Sequence, residues 1–185
     1  AALTYALYND NFGACLVTTG CAGTNTMTGL LHEWQDSIPC IFISGQQNYD
    51  QTVKGSGLPL RQVGIQEADT ESIMKPLTKF AVTVESADKI AWYLDKAIYL
   101  AKSGRKGPVW LDVPLNVQNA MVNEERLERY VPETEAIPRA SKEDIRFATE
   151  ALAQAERPVI LAGHGIRSAG AVGELRRLAE KLASP

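Results

Sequence analysis

Short apolar, β-branched runs alternate along this chain with stretches whose apolar residues recur every three or four positions. Ala14-Cys15-Leu16-Val17-Thr18-Thr19, ended by Gly20, reads as a buried strand, and Ile38 to Ser44 (IPCIFIS), closed by Gly45, reads as a second. Phe80-Ala81-Val82-Thr83-Val84 supplies a third, and Pro108-Val109-Trp110-Leu111-Asp112-Val113-Pro114 a fourth bounded by prolines. Between the first two, the small-residue loop Gly20-Cys21-Ala22-Gly23-Thr24-Asn25 leads into a helix through Leu30, Leu31 and Trp34. The clearest helix follows Ser86, its expected cap. Ile90, Tyr93, Leu94, Ala97, Ile98 and Ala101 form one apolar face at i, i+3, i+4, i+7, i+8 and i+11, and Gly104 stops it.

Two segments break the alternation. Gln46 to Gly64 is rich in Gly, Gln and Asn, has no periodicity and reads as a long loop of the functional or mobile kind. From Asn119 onward Glu124, Glu125, Arg126, Glu128 and Arg129 stand beside Pro132 and Pro138, the composition of an interdomain linker. A new unit then starts. Ser141 and Asp144 make a capping-box-like start, Ile145, Ala148, Leu152 and Ala155 face one way, and Pro158-Val159-Ile160-Leu161-Ala162 reads as a strand. Gly163-His164-Gly165 reads as a tight turn before a helical stripe of Val172, Leu175, Leu178, Ala179 and Leu182. Strands alternating with helices predict an α/β fold, a parallel sheet flanked by helices on both faces. Ligands of such sheets bind at the carboxyl ends of the strands, which directs attention to loop 20–25.

Bulk properties narrow the class. The 185 residues suit one full α/β domain with part of another, and 45% hydrophobic with 22% charged residues is ordinary for a globular protein. A net charge of -3 carries no electrostatic footprint for nucleic acid or an acidic membrane surface. No apolar run approaches the ~20 residues of a membrane span, and no secretory leader is visible. Cys15, Cys21 and Cys40 lack metal or disulfide spacing and read as buried, reduced thiols of a cytoplasmic protein. Ala1 at the start and a helical pattern running into Pro185 read as cuts through a longer chain.

Candidate chemistry is sparse. Loop 20–25 suits close approach of backbone to a ligand, and suits a plain strand-to-helix turn equally well. It is neither a P-loop nor a GxGxxG turn. Gln66-Glu67-Ala68-Asp69 offers acids for proton transfer, although acids at a helix start more often serve the helix itself. His32-Glu33 lacks a second histidine four residues on, so no metal site is expected. Gly163 to Gly170 is a partial dinucleotide loop with Ser168 where a third glycine should fall.

The string CLVTTGCAGTNTMTGLLHEWQDSIPCIFISGQ resembles the thiamine diphosphate enzymes of the acetolactate synthase type. Gln66-Glu67-Ala68-Asp69, Lys75-Pro76-Leu77-Thr78-Lys79, Gly107 to Pro114 and Arg157 to Gly163 follow in the family's order. The resemblance spans nearly the whole chain. It implies a pyrimidine-binding domain over 1–118 with its N-terminal part missing, a linker over 119–140 and the start of a Rossmann-like central domain over 141–185. It implies thiamine diphosphate as cofactor, with Gly20, Cys21, Ala22, Asn25 and Gln66 on the pyrimidine side and Gln66 reaching toward the reacting ring. Lys79 is placed at the substrate entrance or, as readily, in solvent. The glutamate that activates the cofactor would lie upstream of Ala1. Mg2+ would be bound by a C-terminal domain outside these residues, and FAD is left open. The implied reaction is decarboxylation of a small-molecule 2-oxo acid with carboligation, in a protein that self-associates through this domain. A non-catalytic dimerising module of the same fold, or a carboligase with another acceptor, such as those of polysaccharide pathways, are the alternatives. The chain departs from the family pattern at Cys21-Ala22-Gly23, where Pro-Gly-Ala is frequent, and at Ile65, where an aromatic is frequent.

Overall fold

The computed structural model describes residues 1–133 and 139–183, so Pro138 and Pro185, named above, lie outside the described residues. Four strands, β1 (Gly13–Val17), β2 (Cys40–Gln46), β3 (Phe80–Thr83) and β4 (Val109–Pro114), form one sheet in the order β1-β2-β4-β3. Every pairing is parallel, as the short apolar runs predicted. Helix α1 (Ala2–Asn9) precedes the sheet, the connections carry α2 (Cys21–Asn25), α3 (Met27–Gln35), α4 (Val53–Ser56), α5 (Thr70–Met74) and α6 (Ile90–Lys102), and α7 (Leu115–Gln118) follows β4.

Alternation along each strand sends successive side chains to opposite faces, and each face has its own core. On one side Ala6, Leu30, Ile38, Cys40, Phe42, Met74 and Trp110 pack beneath α1, α3 and α5. On the other, Ile41, Val109 and Leu111 meet Ala97 and Ala101 of α6. Trp110 is fully buried and stacks on Phe42 with ring centroids 5.3 Å apart. Such a pair adds about 1 kcal/mol to the burial of the two rings. The helix α6 keeps the predicted apolar stripe, but Ser86 makes no side-chain cap. A single 3-10 turn, Ala87–Lys89, starts it instead. Helix α1 has no counterpart in the expected elements.

The chain divides into two compact units, 1–133 and 134–185. Part of the stretch read as linker lies against the first unit: Arg129 pairs with Asp95 at 2.8 Å, and Tyr130 meets Trp92 edge-on at 5.5 Å. In the second unit α8 (Lys142–Gln154) begins with the expected capping box between Ser141 and Asp144. Helices α9 (His164–Ser168) and α10 (Val172–Ala183) follow. The strand expected over Pro158–Ala162 is not formed; those residues are irregular, and Val159 and Leu161 are 90% and 97% exposed. A strand exists only as part of a ladder, and among the described residues no second strand stands beside this one.

Candidate functional site

Along the α3 side of the sheet the two central strands change character toward their carboxyl ends. Phe42 lies opposite Trp110, and one alternation later Ser44 lies opposite Asp112. Gln46 follows on the same face of β2. Ser44, Gln46 and Asp112 are nearly or fully buried, so their polar atoms must find partners within the protein. They find one another: Ser44 Oγ donates to Asp112 Oδ1 at 2.5 Å, and Gln46 Nε2 donates to Asp112 Oδ2 at 3.0 Å. Burial pushes the Asp112 carboxyl above its ordinary value, against the pull of these donors.

Loop 20–25 leaves β1 at this same end of the sheet. Gly20 has φ 64 and ψ -108, a conformation that L side chains avoid, and a Cβ there would sit 1.9 Å from the carbonyl oxygen of Gln66. Gln66 itself is left-handed, with φ 55. Two segments singled out separately in the sequence are therefore one seam, the backbone of Gln66 resting on the bare Cα of Gly20. Cys21, Asn25 and the Gln66 side chain are exposed beside it, and Ala22 is half-buried. Gly23 points inward, where a Cβ would touch Trp110 and Thr70 at 3.4 Å. Packing explains that glycine; close approach of backbone explains Gly20. A cavity of about 660 Å³ opens over the strand ends and is lined in part by Thr19, Gly45, Gln46, Gln47 and Gln118.

The acids after Gln66 serve structure rather than proton transfer. Glu67 accepts from the backbone N–H groups of Val53 at 2.5 Å, Val63 at 2.8 Å and Gly64 at 3.0 Å. Burial opposes its ionisation, but these donors outweigh it and hold the carboxyl below its usual range. Asp69 caps α5 by accepting from Ser72 N–H at 3.1 Å. Lys79 lies at the opposite, amino edge of the sheet, where its Nζ donates to Ser103 O at 2.6 Å. His32 pairs with Asp36 at 2.8 Å, while Glu33 turns into the core. His164 opens α9, and the strand that a dinucleotide turn would need before it is missing. Among the described residues no group of three or more His, Cys, Asp or Glu stands as a metal site. Ser44, Gln46 and Asp112 were passed over in the sequence. Their signal was polar residues at alternate positions inside runs otherwise buried on both faces.

Residues 1–73 match the thiamine pyrophosphate enzyme N-terminal TPP binding domain, and residues 145–185 match the central domain of the same enzymes. The chain belongs to the thiamine pyrophosphate enzymes. Glyoxylate carboligase of Escherichia coli O157:H7 is 40% identical over 175 residues, 95% of this chain and 28% of that protein. The acetolactate synthase isozyme 1 large subunit of Escherichia coli K12 is 36% identical over 174 residues, 92% of this chain and 28% of the relative. The probable acetolactate synthase large subunit of Methanocaldococcus jannaschii is 33% identical over 196 residues, 100% of this chain and 31% of its own length. The chain thus spans less than a third of these curated relatives. Membership in the family implies thiamine diphosphate, and the four-stranded parallel sheet with its flanking helices fits the pyrimidine domain. No helix among the described residues is long and apolar enough to cross a membrane.

Proposed function

We propose that the protein decarboxylates a 2-oxo acid and ligates the remaining fragment to a second carbonyl compound, with this chain supplying the pyrimidine-facing wall of the thiamine diphosphate site. The observation that carries the reading is the seam between Gly20 and Gln66. A Cβ at residue 20 would strike the Gln66 carbonyl, so loop and turn meet backbone to backbone, and Cys21, Asn25 and Gln66 on these two segments carry exposed side chains. A flat heterocycle needs such a wall: bare backbone for close approach, with a few polar groups at the rim. The residues present fit that half of the cofactor.

Thiamine diphosphate, when bound, supplies the electron sink for the carbanion left as carbon dioxide departs. The protein's part is position. Gly20 and Ala22 lend backbone surface, Cys21 and Asn25 fix the ring's rotation, and Gln66 reaches from its left-handed turn toward the reacting centre. Glu67 and Asp69 are committed to loop and helix; by the family resemblance, the activating carboxylate and the groups that would hold Mg2+ come from outside these residues. Self-association through this domain and a cytoplasmic setting, with three free cysteines, belong to the same proposal, and FAD is left open. The names of the relatives, glyoxylate carboligase and acetolactate synthase, favour carboligation without favouring one acceptor.

The test is carbon dioxide release by the full-length protein from a panel including pyruvate and glyoxylate, with and without thiamine diphosphate and Mg2+. Release that requires the cofactor supports the reading. No release from any 2-oxo acid, with no saturable binding of thiamine diphosphate, would leave the dimerising module as the better account.

A further inference from the structure

At the carboxyl ends of β2 and β4 a chain of hydrogen bonds runs from the core to the Gln66 turn, and each link has one permitted direction. The Trp110 indole can only donate, and it gives its Nε1–H to Ser44 Oγ at 2.9 Å. The Ser44 hydroxyl accepts there and donates its own O–H to Asp112 Oδ1. Gln46 has both ends of its amide committed. Its Oε1 accepts from Gln47 N–H at 3.1 Å, so its amino group faces Asp112 Oδ2 at 3.0 Å and the Ala68 carbonyl at 2.9 Å. Gln47 Nε2 holds the Ile65 carbonyl at 3.0 Å. Neighbouring glutamines at the end of one strand therefore hold the backbone on both sides of Gln66, and Asp112 orients one of them.

We infer that Asp112 is a positioning residue: through Gln46 it fixes the Gln66 turn against Gly20, and so sets the wall that faces the cofactor. The inference rests on the thiamine diphosphate reading above. A carboxylate 2% exposed is a costly way to fill a sheet whose neighbouring positions on the same face hold Phe42 and Trp110. An apolar residue would fill the volume without the desolvation penalty. What an apolar residue lacks is an acceptor for the Gln46 amino group: the Gln47 N–H sets which end of the amide faces inward, and Asp112 Oδ2 pins that end where it also reaches the Ala68 carbonyl.

Hydrogen–deuterium exchange on the full-length protein without cofactor reads the turn directly. Asp112→Leu removes the acceptor, and Gln46→Glu removes the amino group; facing carboxyls share at most one proton, which leaves none to donate to the Ala68 carbonyl, so both cut the link to the turn. Asp112→Asn keeps it, because the new amide can turn its oxygen to Gln46 and its amino group to Ser44, whose second lone pair accepts. The amides of residues 64–69 should exchange about tenfold faster in D112L and Q46E, and within about threefold of the parent in D112N. Val109→Ala, at the far end of the same strand, should lower overall stability while leaving that segment within about twofold of the parent. Should D112L not fold, Q46E decides. Unchanged exchange over 64–69 in Q46E, or equal acceleration in V109A, overturns the inference. In the same variants the thiamine diphosphate concentration giving half-saturation should rise about tenfold in Q46E and stay near the parent's in D112N. If exchange responds as stated but the parent shows no saturable thiamine diphosphate binding, the role of Asp112 in fixing the turn stands and the cofactor reading falls.

Discussion

Gly20 and Gly57 separate two reasons for a glycine. Both have positive φ, 64 and 65, but Gly57, at ψ 11, is left-handed and a Cβ there would meet nothing within 4 Å. Gly20, at ψ -108, is in a conformation that L residues avoid, and a Cβ there would also collide with the Gln66 carbonyl. Gly57→Ala should cost only the backbone term, about 1 kcal/mol. Gly20→Ala adds a collision with backbone and should cost about 3 kcal/mol or more and abolish saturable thiamine diphosphate binding. Urea melts of the two variants check the difference, and equal costs would remove the close contact from the account. Glu33 makes a different demand. It is 1% exposed, its Oε2 has no hydrogen-bond partner among the described residues, and burial raises its carboxyl to about 7 despite the Cys40 thiol beside it. The folded state then keeps a proton that the unfolded chain releases near its ordinary value of 4.5. Stability from this group is present below that value and is lost as pH rises through about 7, in total about 3 kcal/mol. Thermal melts of the parent and Glu33→Gln across pH 4 to 8 should diverge in that window, the parent losing ground as pH rises. A constant difference would show that Glu33 is already ionised when folded.

At the scale of elements, one side chain draws together distant parts of the long segment between β2 and α5. Glu67 gathers the N–H groups of Val53, Val63 and Gly64, and its lowered carboxyl means that this clasp holds above the ordinary carboxylate value and fails as pH falls through the lower folded one. Glu67→Gln offers one oxygen and turns an amino group toward donors. Trypsin should then cut at Lys54 and Arg61 about tenfold faster at neutral pH, and the parent should approach that rate only in acid. Equal cutting would assign the loop's order to something else. Such a clasp was not legible in the sequence, where Gln66-Glu67-Ala68-Asp69 looked like a source of proton-transfer acids; the donors come from residues 3 to 14 positions away along an aperiodic loop. Strands β2 and β4 were legible because central parallel strands are apolar on both faces and read as unbroken runs, and the edge strands β1 and β3 because they keep short apolar, β-branched runs. The same signal misled at Val159–Leu161, where an equally apolar run has no ladder to join. Helix α1 was missed because Tyr5 and Tyr8, 56% and 85% exposed, blur its apolar stripe and no capping residue marks its start. Of the site, Gly20 and Gln66 stood out by motif, but their contact is a matter of backbone conformation at both residues. Asp112 stayed hidden because one polar residue near a strand end is ordinary until the opposing strand shows Ser44 and Gln46 in register.

At the scale of the whole molecule, the two units differ in what they bury. Residues 1–133 close a parallel sheet between two apolar clusters, the arrangement that gives cooperative unfolding in a domain of this size. Residues 139–183 form three helices and an extended apolar run, yet Phe147 is 75% exposed, Val159 90% and Leu161 97%. Helices of 12 or 13 residues, such as α10 and α8, are marginal in water unless an apolar face is packed. A peptide of residues 139–185 should therefore lose its helical circular dichroism gradually on heating, with no sigmoidal transition. Residues 1–133 alone should melt in a single sharp step. A cooperative melt of the short peptide would mean that its helices suffice for a core, and the exposed run at Val159–Leu161 would then need a structural role other than waiting for strands to pair with.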